Sequence, residues 1–149
     1  MEESASILQL FNEHDFALPF SEIEAEKLLE IISKDQKVTF SFVEVAYVDE
    51  KEIIKVNQEF LSKDYVTDII SFRYDEDETN QSIEGTLYCC APRIEEQTSE
   101  FGESTKREFL RVLVHGLIHL IGFDDQTETE KAEMTRLEDK YLDLFYKSY

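Results

Sequence analysis

The sequence predicts an α+β fold in which a mixed four-stranded sheet packs against helices. Runs rich in β-branched and aromatic residues lie before Pro92, and helical periodicity dominates after it. The apolar runs fall far short of the ~20 residues that a membrane span requires. With 149 residues, 42% hydrophobic and 33% charged, and with 4 Gly and 2 Pro, the chain can bury one sizeable core and is unlike disordered or collagen-like chains. No internal repeat or linker divides it, so residues 1–149 read as a single domain.

Ile7–Asn12 reads as a short first strand. From Ser21 to about Ser33 a helix follows. Ser21 and Glu24 have capping-box spacing, and Ile23, Leu28, Ile31 and Ile32 form its apolar stripe. Lys37–Val48, with Val38, Phe40, Phe42 and Val45, reads as a strand. Asp49 is placed to cap a second helix through Leu61 that turns Ile53, Ile54 and Phe60 inward. Asp68–Tyr74 and Glu84–Cys90 are two more strands, joined by the acidic stretch Asp75–Glu78 and Thr79-Asn80-Gln81 as a solvated loop. Beyond Pro92, Ile94–Glu100 predicts one or two helical turns. Ser104 opens a longer helix through Ile121, which Gly122 ends. A last helix from about Thr127 to Tyr146 carries Met134, Leu137, Tyr141, Leu142 and Phe145 at helical spacing.

Lys and Arg number 15 against 34 Asp and Glu, a net charge of −19. Such a surface repels phosphate backbones at long range and argues against non-specific coating of nucleic acid, while leaving room for a small basic groove. Cys89 and Cys90 are strand neighbours pointing to opposite faces, which makes them packing thiols of a reducing compartment. The acidic start Met1-Glu2-Glu3-Ser4 has no basic-then-apolar signal, so a cytoplasmic location is expected.

The chemistry concentrates in one segment. His115 and His119 sit four apart on a strongly apolar helix, so both imidazoles project from one face and suit a divalent transition metal. Gly122 breaks that helix, and Asp125 can bring a carboxylate back to the same point. This is a zincin-like metal helix, with the His-x3-His-x2-Gly-x2-Asp ligand spacing of metzincin proteases. The protease general base after the first His is here Gly116, so a peptidase would lack its proton carrier. His14 is the competing third ligand, but its polar setting Asn12-Glu13-His14-Asp15 reads as a surface loop.

The run His115-Gly116-Leu117-Ile118-His119-Leu120-Ile121-Gly122-Phe123-Asp124-Asp125 resembles the signature His-Gly-x-Leu-His-Leu-x-Gly-Tyr-Asp-His of the YbeY family of bacterial ribosomal-RNA maturation factors. Thr67-Asp68-Ile69-Ile70-Ser71-Phe72-Arg73 resembles that family's Thr-Asp-Val-Leu-Ser-Phe-Pro. Asn57, Phe60, Lys63, Asp64, Met134 and Glu138 also fall at family positions, and the likeness spans most of residues 38–145. The resemblance implies a zinc-dependent, single-strand-specific endoribonuclease that acts on ribosomal RNA and the small ribosomal subunit, with no membrane partner and no DNA substrate. It implies Zn2+ held by His115, His119 and Asp125. Asp124 also matches a family position, but reads rather as a turn residue that caps or orients the helix end. Ser71 and Phe72 would set the sheet edge beside the metal.

The chain departs from the family in places. The third His is Asp125, a carboxylate that remains a good zinc ligand but changes the charge of the site. The Arg after the family Phe is Leu61, the Gly after that is Ser62, the Asp after Gly85 is Thr86, and the Pro of the second signature is Arg73. Three cations compete to replace the missing arginine as the RNA-phosphate contact: Arg111, Lys63 and Arg73. Arg111 lies four residues before His115, a step that rotates only ~40° and rises ~6 Å, so it shares the histidine stripe. It is equally spaced to pair with Glu108. Two other readings of the chain compete: a non-catalytic ribosome-assembly factor with a structural metal, and, less favoured because of Gly116, a zinc hydrolase of another substrate.

Overall fold

The computed structural model describes residues 7–74, 82–102 and 104–148. The sheet consists of β1 (Leu8–Phe11), β2 (Thr39–Val48), β3 (Ile69–Arg73) and β4 (Ser82–Cys90), in the spatial order β1-β2-β4-β3. β1, β2 and β4 are parallel, and β3 closes one edge antiparallel to β4. The sheet is therefore mixed and four-stranded, as the sequence predicts. The register slips between Phe40 and Phe42 in β2, a local irregularity in an otherwise continuous ladder. The loop expected over Asp75–Glu78 and Thr79-Asn80-Gln81 lies outside the described residues.

Local signals set the helix starts. α1 (Glu22–Gln36) begins with the complete capping box: Ser21 Oγ accepts the Glu24 N–H at 3.2 Å, and the Glu24 carboxylate accepts the Ser21 N–H at 2.9 Å. Asp49 caps α2 (Glu50–Leu61) by accepting the Glu52 N–H at 2.8 Å. The stripes need two corrections. Ile23 is 69% exposed and Phe60 is 60% exposed. The buried line of α1 runs through Ala25, Leu28, Leu29 and Ile32 instead, and Phe60 lies edge-on against Phe72 with ring centroids 5.0 Å apart. α3 (Ala91–Phe101) spans eleven residues, longer than the one or two turns expected. Pro92 sits in its first turn, where the missing N–H costs no hydrogen bond, and Arg93 pairs with Glu96 and Glu100 along its exposed side.

Both faces of the sheet are covered. On one, Val43, Val45, Tyr47, Leu87 and Cys89 meet α1, α4 (Thr105–Ile121) and α5 (Glu128–Ser148) in the main core. On the other, Val48, Ile70 and Cys90 form a smaller cluster with Ile53 of α2. The two cysteines thus point to opposite faces, both buried and both unbonded. Leu110, Leu113, Val114, Leu117 and Ile118 of α4 are fully buried, each contributing roughly 1.5–3 kcal/mol. No helix among the described residues is long and apolar enough to cross a membrane.

At Gly85 in β4, a Cβ atom would lie 2.5 Å from the Phe72 carbonyl oxygen of β3 and 2.8 Å from Leu120 Cδ2 of α4. The obstacle is backbone, which cannot swing aside. Gly85→Ala is therefore expected to lower unfolding stability by about 1–3 kcal/mol, read from the midpoint of a urea titration at unchanged slope.

Candidate metal centre

α4 reaches the sheet edge because Gly116 lets it. A Cβ at Gly116 would lie 2.5 Å from Ile69 Cδ1 of β3 and 2.9 Å from Leu87 Cδ1 of β4. A side chain at this position would have to displace the ends of Ile69 and Leu87. On either side of Gly116, His115 and His119 turn to the open edge beside β3, ring centroids 4.7 Å apart. Gly122 ends the helix at φ 126°, its N–H bonded to the carbonyls of Ile118 and His119. The chain then folds back, and Asp125 meets both rings: Oδ2 is 3.4 Å from His115 Nε2 and Oδ1 is 3.7 Å from His119 Nε2. An ion with tetrahedral bonds of about 2.1 Å separates its ligand atoms by about 3.4 Å. The group can therefore hold a metal ion with little adjustment.

The trio borders a cleft of about 370 Å³. Its opposite wall comes from Asn57 and Leu61 of α2, the following Tyr65, and β3 with the residues before it, including Asp68 and Ser71. Asn57 is buried and donates to the Tyr65 carbonyl at 2.9 Å, fixing the turn that carries Tyr65. That turn begins at Ser62, which holds the left-handed conformation at φ 55°. The family glycine at this position thus has a backbone reason, and Ser62 carries the strain of departing from it.

The nominated cations divide. Arg111 lies on the histidine stripe but points away from the cleft: its Nε and Nη2 bind Glu108 at 2.9 and 2.5 Å, and its Nη1 binds Glu138 at 3.2 Å. The Glu108 hydrogen bonds raise its already high pKa further. Arg73 donates through Nη1 to the Leu120 carbonyl at 3.1 Å and ties β3 to the end of α4. Neither lines the cleft. Lys63 stands beside it, its Nζ 5.9 Å from the centre of the Tyr65 ring. Among the described lining residues there is no Lys or Arg. Asp124 is exposed and accepts the Asp125 N–H at 2.8 Å, a turn residue's role. His14 is on the surface as expected, 2.5 Å from Glu52 and 3.9 Å from Asp49, in a second, exposed group of potential ligands remote in sequence from the first.

Glu138 is the functional contact that sequence reasoning left without a role. Its Oε2 accepts from His115 Nδ1 at 2.7 Å. Burial lowers the His115 pKa, but the Glu138 hydrogen bond and the charges of Glu138, Asp68 and Asp125 outweigh it, and the net shift is upward. The signal was available: Glu138 interrupts the apolar stripe of α5, one position after Leu137 and three before Tyr141.

The family profile described as Endoribonuclease YbeY matches residues 11–146. The chain belongs to the YbeY endoribonuclease family. It is 36% identical over 121 residues to Endoribonuclease YbeY of Chloroherpeton thalassium, covering 81% of this chain and 84% of that one. It is 37% identical over 138 residues to the Chlorobium limicola protein of the same name, covering 93% and 92%. The solution structure of TM1509 from Thermotoga maritima superposes with a TM-score of 0.58 at 27% identity, covering 94% of this chain and 91% of that one. Relief of the strain at Ser62 offers a check on the YbeY-like turn. Ser62→Gly is expected to raise stability by up to about 1 kcal/mol, seen as a higher denaturation midpoint, because glycine takes a positive φ without the Cβ penalty.

Proposed function

We propose that the chain is a zinc-dependent endoribonuclease that cleaves single-stranded ribosomal RNA in maturation of the small ribosomal subunit, working in the cytoplasm. The observation that carries this reading is the convergence of His115, His119 and Asp125 on an open cleft, with ligand separations of 3.4 and 3.7 Å. Two imidazoles and a carboxylate are a donor set that zinc accepts in hydrolytic sites. When bound, zinc supplies a Lewis acid that acidifies water and polarises a phosphate oxygen. The chain's own residues do the rest. His115, His119 and Asp125 bind the ion, and Asp125 offsets one of its charges. Leu61 and Tyr65 wall the cleft where RNA enters. Of Arg111, Lys63 and Arg73, Lys63 is the cation that would meet a phosphate there, since its Nζ lies 5.9 Å from the ring of the cleft residue Tyr65.

The lack of Lys and Arg among the described lining residues, with Leu61 where the family has Arg, also favours a second reading: an assembly factor whose metal is structural. Protein purified without a histidine tag is expected to contain stoichiometric zinc. His119→Ala should lose that zinc, and His14→Ala should keep it, because a site of three protein ligands cannot hold zinc tightly with two. Unchanged zinc in the His119 variant rejects the site. The loaded protein should cleave single-stranded RNA in preference to duplex, and a chelator should stop it. Zinc without cleavage would select the assembly factor. Lys63→Ala is expected to reduce kcat/KM for single-stranded RNA about tenfold with zinc content unchanged, as for loss of a charge that stabilises the transition state.

A further inference from the structure

The buried polar side chains between α3, α4 and α5 form one connected line ending at His115. Gln97 Nε2 donates to Glu108 Oε2 at 2.8 Å, and Arg111 binds both oxygens of Glu108. Arg111 Nη1 reaches Glu138 Oε1 at 3.2 Å, and Glu138 Oε2 lies within hydrogen-bond distance of His115 Nδ1, at 2.7 Å. The Glu108 side chain is 0% exposed and the Glu138 side chain 6%.

We propose that Glu138, held by Arg111, is a positioning residue that fixes the tautomer of His115 and presents its Nε2 lone pair to a divalent cation. The inference rests on the metal-centre reading above. An ionised carboxylate only accepts hydrogen bonds, so the imidazole proton facing Glu138 must sit on Nδ1. The lone pair is then on Nε2, the atom that lies 3.4 Å from Asp125 Oδ2. Glu138 has one oxygen for each neighbour: Oε1 for Arg111 and Oε2 for His115. The Nε and Nη2 edge of Arg111 is taken by Glu108, so Nη1 alone reaches Glu138 and the second Glu138 oxygen is left to face His115. Charge points the same way. Two carboxylates against one guanidinium leave one negative charge between packed helices, and the group it faces is His115. That charge favours a cation on the far side of the ring.

The test uses the full chain without a tag, with zinc titrated in competition with a fluorescent chelator. Glu138→Gln should weaken zinc binding about 10–100-fold, the range seen when the carboxylate behind a ligating histidine is removed. It should also change the visible spectrum of the cobalt-substituted protein, because the ring is no longer held in orientation. Arg111→Lys, which keeps the charge and loses the fork, should give a smaller loss. If wild type binds zinc and a folded Glu138→Gln binds it equally tightly with an unchanged cobalt spectrum, the proposal is overturned. If wild type binds no zinc, the metal-centre reading itself falls. Should Glu138→Gln fail to fold, wild type alone decides: nitrogen-15 spectra of the zinc-loaded protein should show His115 protonated at Nδ1 and coordinated through Nε2. A proton on Nε2, or coordination through Nδ1, overturns the assignment.

Discussion

The close approach of α4 to the sheet at Gly116 is the constraint on which the rest depends. With a hydrogen in place of a side chain, the helix settles against Ile69 of edge strand β3 and Leu87 of β4. The histidines on either side then project past the sheet edge rather than into the core. A larger residue would meet the side-chain ends of Ile69 and Leu87, the contacts that hold the helix against the β3 wall of the cleft. Gly85 works in the same interface from the strand side, since Leu120 of α4 and the Phe72 carbonyl both lie where its Cβ would be. The family signatures therefore have a mechanical meaning: one places the helix glycine, the other the strand it lies on.

The opposite side of α4 is held by charge. Burying Glu108, Arg111 and Glu138 together is tolerable because each oxygen of both carboxylates has a donor within 3.2 Å. Removing Arg111 would leave two carboxylates without a counter-charge between helices, a far larger penalty than losing an exposed ion pair such as Glu133–Arg136. The metal side and the core side of α4 are consequently linked. The bond to His115 is the last in a line whose other bonds set the packing of α3 and α5.

Much of this was legible in the sequence, for physical reasons. The strands, the capped starts of α1 and α2, and the gathering of His115, His119 and Asp125 all depend on local spacing, and local spacing is what a sequence displays. The pairing order β1-β2-β4-β3 depends on which strands meet across long stretches of chain, and no local pattern records it. Phe60 and Ile23 look like core residues by type, yet both are exposed: Ile23 lies on the opposite side of α1 from Ala25, and Phe60 sits in the last turn of α2. α3 is longer than its polar composition suggests, since Arg93 stabilises the exposed side by pairing along it. Arg111 illustrates the limit of stripe arguments: its backbone position matches the histidines, but two buried carboxylates draw the guanidinium away from the cleft.

The net charge of −19 bears on how such a cleft would engage RNA. A basic protein gains affinity for any phosphate chain through counterion release. An acidic one repels that chain until it is within a screening length of ~8 Å at physiological ionic strength. On the proposed reading, short-range attraction comes from a small focus: a divalent ion that His115, His119 and Asp125 could hold, and Lys63 beside Tyr65. A duplex is a stiff rod that would bring many phosphates against the acidic surface in order to place one in the cleft. A single strand bends, and can deliver one phosphate while its neighbours stay in solvent. The exposed Tyr65 ring at the mouth of the cleft offers an unpaired base a stacking surface that a paired base cannot use. On this account the acidity that argues against general nucleic-acid binding is also what would restrict the site to flexible, unpaired substrate.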